Sequence, residues 1–288
     1  MKSFTIILVA VLVSMLSVKF LMPQNGTATA AKETAYARVM RTGVLRCGYV
    51  VWPPEMIKDE NTGKLSGISY DMMMAAAEKL GLKVEWAAEA NFPTIPADLD
   101  QQRYDALCFT IYRRANQAAF MQFTRPLFYS GVAAFVRPDD HRFDVSLGAV
   151  NDPNVKISTM NGEQAAIIAK EDFPQASTLS LAQGSSFSDL LLNVAQGKAD
   201  ITFTNIGNTQ NFLKTNPGTL RQLTQFKPIR MFAHAFAVAK DETVLANTLN
   251  IALEELHHDG TLAKILATHQ AQRGVYFNPA DDYVYTTE

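Results

Sequence analysis

The 288-residue sequence is poor in the features that announce most chemistries. Its two cysteines, Cys47 and Cys108, are too few for a disulfide framework or a four-ligand zinc site. Basic residues are not in excess: 26 Lys+Arg stand against 28 Asp+Glu, with no local Lys/Arg cluster, so the charge footprint of nucleic-acid binding is missing. No H-E-x-x-H, Gly-rich phosphate loop or G-x-S-x-G occurs, which leaves metalloprotease, P-loop and hydrolase chemistry without a starting motif. Of five histidines, His257 and His258 are adjacent, and neighbours on a helix do not face one another as metal ligands must. No metal or cofactor is therefore expected. What is present is a 48% apolar composition, enough for a core in one large domain or two of roughly 100–150 residues.

Acidic residues are absent from the first 30 positions, whose only charges are Lys2 and Lys19. Phe4 to Val18 is apolar except for Thr5, Ser14 and Ser17, and Ala28-Thr29-Ala30 follows. A basic start, an apolar stretch and an A-x-A site describe a secretory signal peptide, with cleavage after Ala30. An uncleaved anchor over Phe4–Met22 is the alternative. In either case residues 31–288 are exported and the expected location is the periplasm.

From there strand and helix signals alternate. Val44–Val50, Leu82–Trp86 and Tyr104–Thr110 read as strands, and Tyr70–Leu80 and Ile95–Gln102 as helices, which predicts a parallel sheet covered by helices. The pattern restarts with strand Val155–Thr159, helices Glu163–Lys170 and Ser188–Gln196, and strand Ile201–Thr204. Leu99 to Ala106 resembles Val194 to Ile201: a helix end, a basic turn, an Asp and a buried strand. Two β-rich stretches, Gly131–Val136 and His234–Ala239, lie between the halves, and two helices, Val244–His257 and Thr261–His269, follow. The expected fold is α/β: two similar open-sheet lobes joined by two crossover segments, with a ligand cleft beside the strand ends and helix N-termini.

The chain resembles the solute-binding proteins of ABC importers, in the branch for polar amino acids (family 3, type II periplasmic binding protein fold). The resemblance runs from about Arg41 to Gln270. It rests on Gly43–Tyr49 with Pro53-Pro54, on Asn61–Asp71, on Tyr104-Asp105-Ala106 and on Phe123–Phe128. Gly197–Asp200, Phe236–Lys240 and Asp259-Gly260-Thr261 complete it. It implies a first lobe of 36–130 plus 233–275, a second of 131–232 and a tail of 276–288. It also implies closure by hinge bending, a non-enzymatic role, and delivery of a small solute by a monomer to an ABC permease in the inner membrane. A binding module for a sensor or periplasmic oxidoreductase system, and a periplasmic dehydratase on the same scaffold, are the alternatives.

Relatives of this branch hold an α-amino acid with an Arg after the third strand and an Asp in the second lobe. A bidentate guanidinium then meets the carboxylate, and a carboxylate meets the ammonium. Here Gln117 falls at the Arg position and Asn205 at the Asp position, while Glu163 and Gln164 replace the usual small hydroxyl residues. Either the solute is not a standard amino acid, or Arg113 or Arg114 takes a carboxylate and Glu163 a cation. Strand alternation lets at most one of the two arginines face the cleft. Thr110 and Tyr112 at the third strand, with Tyr49 and Trp52 after the first, complete the candidate site. The rings and Glu163 together suit a cationic nitrogen. Cys47 and Cys108, on neighbouring strands, are expected as buried free thiols.

Overall fold

The computed structural model describes residues 32–161, 163–182, 185–223, 228–269 and 275–280. The signal or anchor segment expected over residues 1–30 lies outside the described residues. Contacts divide the chain into Met1–Thr34 and Ala35–Glu288, and the second unit holds all the elements below.

The first half builds helix α1 (Ala35–Thr42), strands β1 (Val44–Tyr49), β2 (Ile57–Lys58) and β3 (Leu65–Ser66), and helix α2 (Ile68–Lys79). Strand β4 (Lys83–Glu89), helix α3 (Ile95–Asp100), strand β5 (Ala106–Tyr112) and strand β6 (Met121–Phe123) follow. β7 (Phe128–Val136) leads into the second half: β8 (Lys156–Met160), α4 (Gln164–Asp172), β9 (Ser177–Leu181), α5 (Phe187–Ala195), β10 (Ile201–Asn205), α6 (Ile206–Thr215) and β11 (Arg221–Gln222). β12 (Arg230–Ala239) returns to the first half, where α7 (Thr243–His258), α8 (Thr261–His269) and β13 (Tyr276–Phe277) end the described chain.

The strands form one mixed sheet in the order β4-β1-β5-β12-β7-β10-β8-β9, with β6 on β12 and β11 and β13 on β7. Each half contributes a parallel triplet, β4-β1-β5 and β10-β8-β9. The expected crossover stretches lie inside β7 and β12, which pair antiparallel from His234↔Phe128 to Arg230↔Val132 and carry the sheet from one triplet to the other. Helices cover the parallel strands, as that topology requires. Met72, Met73, Leu249, Leu253, Leu262 and Leu266 pack over Leu45, Phe128 and Phe236, while Ile157, Ile168, Ile201 and Phe203 fill a separate core in the second half.

One expectation is overturned. Cys47 and Cys108 form a disulfide, with a Cα–Cα distance of 5.3 Å. Pairing of β1 with β5 at Cys47↔Ala106 leaves Cys108 close enough on the same face, inside the span that a bridge accepts. Neighbouring parallel strands are therefore no obstacle at this register.

Candidate functional site

The ends of β5 and β10 and the starts of α4 and α6 converge, where a doubly wound sheet presents its ligand site. Thr110, buried in β5, is spent on structure: its N–H donates to Ser69 Oγ at 3.1 Å, and its hydroxyl lies 3.0 Å from the same oxygen, fixing β5 to the start of α2. Tyr112 ends the strand rather than following it. Its ring packs against Phe232 and edge-on to His234 of β12, at centroid distances of 5.2 and 4.9 Å. Gln164, buried at the start of α4, donates from Nε2 to the Tyr112 hydroxyl. A side chain of the first half thereby grips one of the second.

Glu163 occupies the N-cap position of α4 beside that contact and is partly buried. Burial raises its carboxyl above the ordinary value, opposed by the Arg114 guanidinium. The charge of the same guanidinium acts on Tyr112, and Arg114 is half-buried, whereas Arg113 is exposed and its backbone N–H donates to Ala233 O at 2.9 Å. Trp52 makes a second bridge between halves: its ring meets Phe92 edge-on at 6.1 Å and Phe187, the first residue of α5, at 6.2 Å.

Three candidates stand differently. Tyr49 packs edge-on to Trp86 at 6.1 Å within the apolar cluster of the first half. Gln117 lies, half-buried, in a turn whose N–H donates to Arg114 O at 3.1 Å. Asn205 is buried at the end of β10, and its Oδ1 accepts from the N–H groups of Gly207 and Asn208 at 2.8 and 3.4 Å, capping α6. That use of the oxygen leaves its Nδ2 buried with no partner, so the group presents a donor where an Asp would present a negative charge.

Sequence reasoning missed Glu55. The backbone turns through the cis Pro53–Pro54 bond, and the carbonyls of Pro54 and Glu55 accept from Ile68 and Ser69 N–H at 3.3 and 2.8 Å. Gly67 makes this approach possible: with φ at 117°, any Cβ there would lie 2.8 Å from both carbonyl oxygens. The Glu55 side chain is 3% exposed. Its Oε1 accepts from the Tyr276 hydroxyl at 2.9 Å, and its Oε2 bonds nothing. Burial lifts its carboxyl to about 7, lowered in part by Tyr276 and raised further by the charge of Glu163. Tyr112 and Tyr276 are both held well above the usual phenol value by burial, with Glu55 adding to each. The visible signal was an acidic residue directly after Pro53-Pro54 and three positions from Trp52.

Among the described residues, no group of three His, Cys, Asp or Glu is arranged to hold a metal ion, and no helix is long and apolar enough to cross a membrane. The arrangement suits recognition of a small polar molecule by carboxylates, a guanidinium, amides and rings.

Comparison with known proteins agrees. The chain is 25% identical over 209 residues to a probable amino-acid ABC transporter-binding protein of Haemophilus influenzae, covering 72% of this chain and 76% of that one. It is 24% identical over 238 residues to the membrane-bound lytic murein transglycosylase F of Cronobacter sakazakii, covering 81% of this chain but 44% of that enzyme. An ancestral amino acid-binding protein, a precursor of cyclohexadienyl dehydratase, superposes with a TM-score of 0.69 at 23% identity, over 82% of this chain and 99% of that one. The fold is that of type II periplasmic binding proteins. Residues 45–272 match the family model of the bacterial extracellular solute-binding proteins, family 3, and the chain belongs to that family.

Proposed function

We propose that the protein is a periplasmic, non-catalytic receptor that captures a small polar, amino acid-like or amine-like solute bearing a cationic nitrogen. In this reading residues 36–130 plus 233–275 and residues 131–232 move as two lobes on β7 and β12, and the monomer hands its solute to an ABC permease of the inner membrane. The observation that carries the reading is the meeting of side chains from both halves around Tyr112: Gln164 bonds its hydroxyl, and Glu163 and Arg114 act on it. A solute touching both sets of groups is bound fully only when they are together, so it shifts the population toward the closed form.

Membership of the family and the similarity to an amino-acid transporter-binding protein support the transport role. The acidic groups of buried Glu55 and half-buried Glu163, set against the donor at Asn205, support a cation in place of the usual α-ammonium arrangement. Titration calorimetry with cationic amines, amino acids, uncharged analogues and organic anions tests the reading. Binding of amines or amino acids is expected, and binding of anions alone would overturn it.

Turnover is the second reading, favoured by one observation: Glu55, at about 7, has the pKa of a general acid at neutral pH. The domain is shared with an enzyme, the murein transglycosylase. Bound solute recovered chemically unchanged after prolonged incubation, followed by NMR, is the result expected of a receptor.

A further inference from the structure

We infer that Glu55 is a ligand-binding carboxylate, held by Tyr276 so that its second oxygen receives a protonated amine or guanidinium of the solute; the inference rests on the solute-receptor reading above. A carboxylate as deeply buried as Glu55 is stable only when its oxygens are paired. Oε1 has the Tyr276 hydroxyl, 2.9 Å away. Oε2 is buried with no hydrogen-bond partner, although the backbone around it is tied down: Trp52 and Met56 bond each other's backbone, and Pro54 and Glu55 bond the start of α2.

The loop thus fixes Glu55 and leaves one carboxyl oxygen unsatisfied. A purely structural acceptor for Tyr276 would need no second bare oxygen and no charge at all.

The surroundings select the partner's charge. Glu163, at the N-cap of α4 in the second half, adds its charge to the burial that raises Glu55. Tyr276 reaches Glu55 from β13, the charge of Glu55 acts on Tyr112 of β5, and the Arg114 guanidinium acts on Glu163 and Tyr112. Burial disfavours the ionised form of both carboxyl groups and one guanidinium opposes it only at Glu163, so a cation placed beside them would favour ionisation of both. Asn205, which presents a donor, does not supply that negative charge from the second half. Glu55 supplies it from the first.

Tyr276 acts as a positioning residue. It belongs to a two-residue strand that pairs with β7 at Ser130 and Tyr129, so the last described strand of the chain sets the orientation of the receptor carboxylate.

The test is calorimetry on the whole exported chain with L-arginine, putrescine and the uncharged arginine analogue L-citrulline. The wild type is expected to prefer the two cations. Glu55→Gln, which keeps an oxygen for Tyr276, is expected to lose about tenfold or more for L-arginine and putrescine while L-citrulline changes little. Tyr276→Phe removes the bond that favours the ionised carboxylate, so it should bind L-arginine weakly near neutral pH and recover in alkaline buffer. That pH-dependent recovery is not the behaviour of a merely loosened fold, and it carries the test if Glu55→Gln does not fold.

Equal losses for charged and uncharged probes in Glu55→Gln, or none, would overturn the inference. A wild type that binds L-citrulline or anions but neither cation overturns it while leaving the receptor reading intact. A wild type that binds no probe of any charge overturns both.

Discussion

Gln102 and Gly197 hold the same place in the two halves of the molecule, and both are in the left-handed region, with φ of 56° and 72°. Each ends a helix by the same bonds: Gln102 N–H donates to Leu99 O at 2.9 Å and Gly197 N–H to Val194 O at 3.0 Å, while the next residues reach Asp98 O and Asn193 O, both at 2.9 Å. Three residues on, Asp105 and Asp200 each accept from the first strand of their half. Arg46 N–H bonds Asp105 Oδ2 at 2.7 Å, and Lys156 N–H bonds Asp200 Oδ2 at 2.8 Å. The repeat visible in the sequence is thus a repeat of hydrogen bonds.

Glycine suits the left-handed position and glutamine does not, because its Cβ crowds the adjoining carbonyl. Gln102→Gly is therefore expected to leave stability unchanged or raise it by up to about 1 kcal/mol, while Gly197→Ala lowers it by about 1 kcal/mol or more. Urea unfolding of the two variants checks the pair. A clear loss in Gln102→Gly would show that the Gln102 side chain contributes more than its backbone strain costs.

The Cys47–Cys108 bridge joins β1 to β5 two residues before Tyr49 and four before Tyr112, ahead of the loops that lead to Glu55 and Arg114. Denatured, unreduced protein should show no free thiol. Replacing both cysteines by alanine should cost about 2–4 kcal/mol in unfolding free energy. Two free thiols in protein purified from an oxidising compartment would contradict the bridge.

Asn205 offers an independent handle on solute choice. Asn205→Asp keeps an oxygen for the Gly207 and Asn208 N–H groups and replaces the bare Nδ2 by a charged acceptor. The helix cap should survive, so the melting temperature should change little. Affinity for solutes with an α-ammonium should rise by about tenfold, the scale of one added charge-assisted hydrogen bond. Calorimetry with L-glutamine and its des-amino analogue separates this from a general gain.

Much of the fold was legible because it is set locally. Alternating apolar strands, the Gly81 stop of α2 and the Asp-bearing turns all act within a few residues. Other parts depend on partners distant in sequence. The polar helix α6 has modest propensity, and its start is fixed by the Asn205 cap rather than by an apolar stripe. β9 carries serines and a threonine and exists because β8 pairs with it along its whole length. The register that brings Cys47 to Cys108 is not written in either strand alone. For the site, Gln164 and Tyr112 could be named from their places at helix and strand ends, while Arg113 and Arg114 could be named only as alternatives. Glu55 could not, because its inward turn depends on Tyr276, 221 residues away.

Two buried groups make opposed contributions to stability against pH, and their balance can be measured. His234, stacked on Phe128 and bonded through Nε2 to Ser130 Oγ at 2.8 Å, is depressed by burial to about 3 from its ordinary 6.5. The unfolded chain therefore binds the extra proton between about pH 3 and 6.5, and this term lowers stability as pH falls through that window. Glu55 stands at about 7 against an ordinary 4.5, so the folded chain holds the extra proton between those values, and this term lowers stability as pH rises. From about pH 4.5 to 6.5 the two slopes cancel. Glu55→Gln should uncover the His234 slope, with stability relative to wild type growing by about 3 kcal/mol as pH is raised from 4.5 to 7. His234→Gln should uncover the opposite slope over the same interval. Denaturant unfolding of wild type and both variants across this range is the measurement. Parallel curves for wild type and Glu55→Gln would mean that Glu55 carries no more proton in the folded state than in the unfolded one.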